Sequence, residues 1–209
     1  GFAAYDFGYL GTGRLLERTE ATLATLGLLE RYRGQFLNWY DTETLQPLHP
    51  RYVSSVDSGN LAGHLMTLRQ GLLGLVNEPV FRRESIGGLR DTLDVLADVL
   101  TTAPPSEWRV WAHALASEAD APPASPGEVL AFAEDQRLRA EALRTVLENV
   151  PSDDAAFWLD RLVAQCDDLV AEASCWSGNV PGTPSLPSLA ELAAETGTAR
   201  GERARSRIA

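Results

Sequence analysis

Leucine recurs at helical spacing through most of this chain. Leu61, Leu65, Leu68, Leu72 and Leu75 fall three or four residues apart, and so do Ile86, Leu89, Leu93, Leu96 and Leu100. Such spacing places apolar side chains on one stripe of an α-helix and is incompatible with the two-residue alternation of a half-buried strand. Further segments follow the same rule. Thr12–Arg33 carries Leu16, Leu23, Leu26 and Leu29, and Gly34 is expected to stop it. Glu128–Asn149 carries Val129, Phe132, Leu143, Val146 and Leu147. Asp153–Cys175 carries Leu159, Leu162, Cys166, Leu169 and Ala173. Ser106–Ala116 is a shorter candidate holding Trp108 and Trp111, and Leu189–Glu195 one more. Ser58 is the expected N-cap of the helix that runs to Asn77. Tyr52–Val56 is the one β-like run. The fold class read from this pattern is all-α, built from antiparallel helical hairpins.

Proline and glycine divide the segments: Ala103-Pro-Pro, APPASPG at 121–127, Pro151 before Ser152, and SGNVPGTPSLPS at 177–188. One helical domain is expected over 1–209. Its core spans about 1–180, with 181–209 a connection and an arginine-rich tail that is frayed or helical only through packing. The chain opens in mid-pattern without methionine and reads as a piece of a longer protein.

The net charge of −11 argues against a nucleic-acid partner, which would need a basic face, and also against docking on anionic lipid. There is no lysine. Because no site chemistry requires that, codon bias in a GC-rich genome is the reading. Cys166 and Cys175 lack metal-ligand spacing and read as reduced thiols. His49, His64 and His113 are scattered, so neither a metal site nor a cofactor is expected. Gly8-Tyr-Leu-Gly11-Thr-Gly13 shares glycines with a phosphate loop, but no strand precedes it.

The segment Gly34–His64 concentrates the chemistry. Asn38, Trp39, Tyr40 and Asp41 stand at one end of a loop. Tyr52, Ser55, Asp57 and Asn60 stand at the other. Aromatic faces stack on the C–H faces of pyranose rings, while carboxylates and amides meet the hydroxyl rim. These eight residues are the expected substrate-binding set. A plainer reading stays open for both ends: Asp57 or Ser58 caps a helix, and Asn-Trp-Tyr-Asp plugs one. The tryptophans at 108, 111, 158 and 176 read as helix-packing residues.

The elements DFGYLGT, FLNWYDT and YVSSVDSGNLAGHL carry a resemblance to the central region of bacterial cyclic β-1,2-glucan synthases. It covers Ala4–Leu73 and continues more weakly through Phe157–Trp176. Gln35 stands where a histidine would be expected. The resemblance implies membership of a very large enzyme at the cytoplasmic face of the bacterial inner membrane, which builds β-1,2-glucan from UDP-glucose. It implies that this region is the N-terminal half of a glycoside-hydrolase-like (α/α)6 toroid that closes the glucan by transglycosylation. Retaining chemistry needs two carboxyl groups about 5 Å apart. Both are expected beyond Ala209, so the set above would bind and orient without cleaving, and this chain alone would be catalytically silent. The implied partners are the β-1,2-glucan chain and the remaining synthase domains, with self-association of an isolated piece. The rival readings are a non-catalytic glucan-binding module and a helical scaffold linking synthase domains.

Overall fold

A computed structural model describes residues 1–100, 103–148, 152–177 and 185–208. The described chain is all-α, as the leucine spacing implies. In order the elements are α1 (Phe2–Asp6), α2 (Thr12–Leu28), β1 (Arg31–Tyr32), β2 (Gln35–Phe36), α3 (Ser55–Leu75), α4 (Glu84–Val99), α5 (Ser106–Asp120), α6 (Pro126–Leu147), α7 (Asp153–Trp176), α8 (Leu189–Ala194) and α9 (Ala199–Ile208). The chain forms two compact units. One comprises Gly1–Leu15 and Val76–Ala209, the other Leu16–Leu75.

The larger unit is a set of helical hairpins in which α4 packs on α5 and α7, and α6 on α7. Its core gathers Ile86, Leu89, Leu93 and Leu96 from α4 with Trp111 and Leu115 from α5. Phe132 and Leu143 from α6 and Leu159, Leu162 and Cys166 from α7 complete it. A buried Trp usually finds a partner for its indole N–H. Trp111 donates to Gln136 Oε1 at 2.7 Å, and Trp108 donates to the Leu93 carbonyl at 2.9 Å. Serines set two starts: Ser125 Oγ accepts from Glu128 N–H, and Ser152 Oγ from Ala155 N–H. Ser188 and Glu191 form a reciprocal capping box on α8.

The arginine-rich tail takes the second of its two expected forms. α9 is held by packing and ion pairing: Ala204 is buried with Leu189, Leu192 and Trp176. Arg200, 4% exposed, makes a two-pronged pair with Glu195 at 2.7 and 2.5 Å. Arg203 donates to the Cys175 carbonyl at the end of α7, and Arg205 donates to carbonyls of Ala193 and Glu195 at the end of α8. Cations here satisfy the free carbonyls that every helix leaves at its C-terminus.

The start of the chain is held by close backbone approach. Gly8, at φ +76°, is buried, and a Cβ there would lie 1.9 Å from the Glu84 carbonyl oxygen. A Cβ on Gly88 would lie 2.3 Å from the Gly8 oxygen. Gln165 Nε2 donates to that same Gly8 oxygen at 3.3 Å, and Arg14 pairs with Asp168 at 3.0 Å.

The smaller unit departs from the sequence reading in several places. The first long helix ends at Leu28, not Arg33, and Gly34 is not its stop signal. Arg33 and Gly34 both take positive φ, 51° and 84°, and form the two-residue turn of a β-hairpin pairing Arg31 with Phe36 and Tyr32 with Gln35. Tyr52–Val56 is no strand: Ser55 and Val56 already lie in α3. The N-cap is Ser54, not Ser58. Ser54 Oγ accepts from Asp57 N–H at 3.1 Å, whereas Ser58 Oγ donates back to the Ser54 carbonyl. Of the leucine stripe on α3 only Leu75 is fully buried. On α2 Leu16 and Leu26 are half-buried and Leu23 is exposed, and Leu29, just past the helix end, is half-buried. In the larger unit Val146 is also exposed, against expectation, while Leu143 and Leu147 turn inward. The expected helix end at Asn149, the break at Pro151 and most of the connection after Trp176 lie outside the described residues.

Candidate functional site: an aromatic platform on the smaller unit

The loop from Leu37 to Ser54 is ordered by its own hydrogen bonds. Its two ends are tied by Asn38, whose N–H donates to the Tyr52 carbonyl at 2.9 Å. The Asn38 Oδ1 accepts from Ser54 N–H at 3.0 Å, and its Nδ2 donates to Asp57 Oδ2 at 3.0 Å. Glu30 and Arg51 close the base with a two-pronged pair at 2.7 and 3.2 Å. The sequence reading misses that pair, although opposite charges at the two loop ends are a usable signal.

Trp39 and Tyr52 stack with ring centroids 6.2 Å apart and planes 27° from parallel. They are 50% and 53% exposed, so the stacked pair stands at the surface and is not a core plug. Asp57 lies in the first turn of α3 and Asn60 follows three residues later, a spacing that puts both on neighbouring positions of one helix face. Ser55, Asp57 and Asn60 are exposed. Asn38, Trp39, Tyr52 and Asp57 are thus joined directly by hydrogen bonds or ring contact, with Ser55 and Asn60 on the helix that carries Asp57.

Tyr40 and Asp41 are occupied differently. Tyr40 Oη donates to the Glu30 carbonyl at 2.7 Å and accepts from Leu37 N–H at 2.8 Å. Asp41 Oδ1 accepts from Thr44 N–H at 2.7 Å, Thr44 Oγ1 at 2.9 Å and Glu43 N–H at 3.0 Å. It is an Asx turn, and the Thr44 donors first, then Glu43 N–H, hold this carboxyl below the usual carboxylate range. These two residues shape the loop that presents Trp39.

The glycines of DFGYLGT make a poor phosphate loop, and the structure gives them a packing role in the larger unit, through the close approach of Gly8 to α4 described above. Among the described residues no group of three or more His, Cys, Asp or Glu side chains could hold a metal ion. Nor, among the described residues, is any helix long and apolar enough to cross a membrane.

The geometry defines an all-α chain bearing an exposed aromatic platform bordered by an amide and a carboxylate. No family model matches it. In sequence it is a relative of the cyclic β-(1,2)-glucan synthases. It is 30% identical over 187 residues, 81% of this chain, to the cyclic beta-(1,2)-glucan synthase NdvB of Rhizobium meliloti (strain 1021). The chain spans 7% of the length of that relative.

Proposed function

We propose that this chain binds β-1,2-glucan as part of the central, ring-closing region of a cyclic β-1,2-glucan synthase. The observation that carries this reading is the exposed Trp39–Tyr52 stack, with the Asn38–Asp57 pair beside it. Flat, preformed aromatic surface suits the C–H face of glucose, and the adjoining acceptors and donors suit its hydroxyls. In this reading the chain is part of an (α/α)6 toroid in a synthase at the inner membrane. Its carboxylates orient sugar, and the pair that exchanges glycosidic bonds lies elsewhere in the synthase. The chain alone neither cyclises nor hydrolyses glucan.

Titration of the chain with linear β-1,2-gluco-oligosaccharides, followed by NMR shifts of the indole N–H groups, tests the proposal. The Trp39 signal should move. Trp39→Ala should weaken binding roughly tenfold, because an aromatic contact is worth about 0.5–1.5 kcal/mol beyond its buried area. Saturable binding that survives both Trp39→Ala and Tyr52→Ala would remove the platform from the site.

A second reading, a helical module that docks on neighbouring chain, has its own observation. In the smaller unit Leu28, Val56 and Met66 are 75%, 70% and 71% exposed. A partner would have to cover these side chains as one contiguous patch, the kind of surface that associates. Light scattering should then show self-association, and a concentration-independent monomer would count against it.

A further inference from the structure

Both ends of the Leu37–Ser54 loop take hold of Glu30. From the first end, Tyr40 Oη donates to the Glu30 carbonyl at 2.7 Å. From the second, Arg51 Nη1 and Nη2 donate to Glu30 Oε1 and Oε2 at 2.7 and 3.2 Å. Each partner is the sequence neighbour of a platform ring: Tyr40 follows Trp39, and Arg51 precedes Tyr52. The contacts therefore close a circuit from Trp39 through Tyr40, Glu30, Arg51 and Tyr52, completed by the ring stack. Asn38 holds the opposite flank of each ring-bearing residue. It precedes Trp39, and its bonds to the Tyr52 carbonyl and the Ser54 N–H both fall after the Tyr52 Cα. Trp39 has a further tie, the Leu48 N–H donating to its carbonyl at 3.0 Å. Ahead of Tyr52 the tie is the Arg51 fork, so Tyr52 is the ring whose placement depends on it.

We propose that Glu30 and Arg51 are positioning residues for the platform: their pair sets Tyr52 against Trp39, and so the fraction of molecules whose rings are ready for a sugar face. This role rests on the glucan-binding reading above. Both side chains are about half exposed, 47% for Glu30 and 49% for Arg51, and an exposed pair adds little to stability. What a two-pronged guanidinium–carboxylate contact adds is direction, because two nitrogens and two oxygens must lie in register. The pair acts through Tyr52 and touches no ligand in this arrangement. Its effect on binding is then one of population. If the rings are stacked for only a fraction of the time, the apparent Kd is the intrinsic Kd divided by that fraction. Stacking reduced to about one third should raise Kd about threefold, with no contact to the sugar removed.

Three readouts on the whole chain test this. The ring-current shift that Trp39 imposes on the Tyr52 ring protons, with Trp39→Ala as the unstacked reference, reports the stacked fraction without any ligand. Titration with linear β-1,2-gluco-oligosaccharide gives Kd, and urea denaturation gives the midpoint. Arg51→Ala should lower the stacked fraction and raise Kd by its reciprocal, roughly threefold to tenfold, with the midpoint little moved. Arg51→Lys keeps the charge but not the fork, and should behave as Arg51→Ala does. The double variant Glu30→Arg with Arg51→Glu reverses the pair and should restore both the shift and the affinity. Unchanged Tyr52 shifts in Arg51→Ala would overturn the proposal, and so would a lost stack with unchanged Kd. Full retention in Arg51→Lys would overturn it too, since charge alone would then suffice, as would a reversed pair that restores neither readout. A large drop in the urea midpoint of Arg51→Ala would make the pair a general support of the fold instead. If the unaltered chain binds no oligosaccharide, the glucan reading falls, while the Tyr52 shifts still decide whether the pair sets the stack.

Discussion

The contact between Gly8 and α4 can be tested through the sign of an effect and not only its size. At Gly8 two penalties combine. A φ of +76° lies in the left-handed region, and a Cβ would sit 1.9 Å from a backbone oxygen that no rotamer change can move. The first costs an L-residue about 1–2 kcal/mol and the second, as overpacking, about 1–3 kcal/mol, so Gly8→Ala should destabilise by roughly 2–5 kcal/mol. The sharper comparison uses the neighbouring glycines of α4. Gly87 is exposed with nothing within 4 Å of its would-be Cβ, so Gly87→Ala should stabilise by about 0.5–1 kcal/mol through helix propensity alone. Gly88 gains the same propensity, but its Cβ would meet the Gly8 carbonyl at 2.3 Å. Gly88→Ala should therefore destabilise by about 1–2 kcal/mol net. Urea denaturation of the three variants decides the matter. If Gly88→Ala stabilises as Gly87→Ala does, or Gly8→Ala shifts stability by less than about 1 kcal/mol, the close approach does not exist in solution.

Four further outcomes are expected. Glu195→Ala leaves the buried Arg200 guanidinium without its carboxylate and should cost about 2–3 kcal/mol, below the ~3–5 kcal/mol of a fully enclosed pair, read from urea midpoints. The same pair should weaken in acid. Arg200 holds the Glu195 carboxyl below its usual range, so its contribution is intact at neutral pH and lost as pH falls through the lowered value. Burial pushes the Cys166 thiol up to about 12, so a disulfide reagent at mild alkaline pH should modify the exposed Cys175 at once and Cys166 only after denaturant is added; rapid reaction of both would contradict the packed core. Asp57→Asn should shift stability by less than ~1 kcal/mol yet weaken oligosaccharide binding roughly tenfold, since a charge-assisted hydrogen bond is worth about 1.5–3 kcal/mol. Unchanged binding would take Asp57 out of the site.

Helices were legible wherever the stripe met a partner within the same unit. Leu89, Leu93 and Leu96 on α4 and Leu159, Leu162 and Cys166 on α7 are buried as their spacing implies. On α2 and α3 the same spacing yields half-buried and exposed leucines, because periodicity reports which side of a helix is apolar and not whether anything covers it. The hairpin at 31–36 was hidden by its brevity, since two-residue strands leave no period to read. An Arg-Gly turn is also less conspicuous than Asn-Gly. The loop residues were identified by type, but their division of labour was not. Nothing in Asn-Trp-Tyr-Asp says that Tyr40 and Asp41 bond their own backbone while Trp39 faces outward. That follows from where Glu30 and Thr44 fall in space.

Asn38 limits what evolution can write at its position. One short side chain must accept from the Ser54 N–H and donate to the Asp57 carboxylate at the same time. Asn38→Asp would keep the acceptor and set a second negative charge against Asp57. Asn38→Ser offers one oxygen on a shorter arm and cannot reach both partners. Asn38→Gln has both functions but one methylene too many for a loop whose ends are already fixed by the Asn38–Tyr52 backbone bond. Trp39 could drift to Tyr or Phe and still offer a ring, whereas the residue before it has almost no synonyms. In a collection of related chains, position 38 should vary less than the aromatic surface it supports.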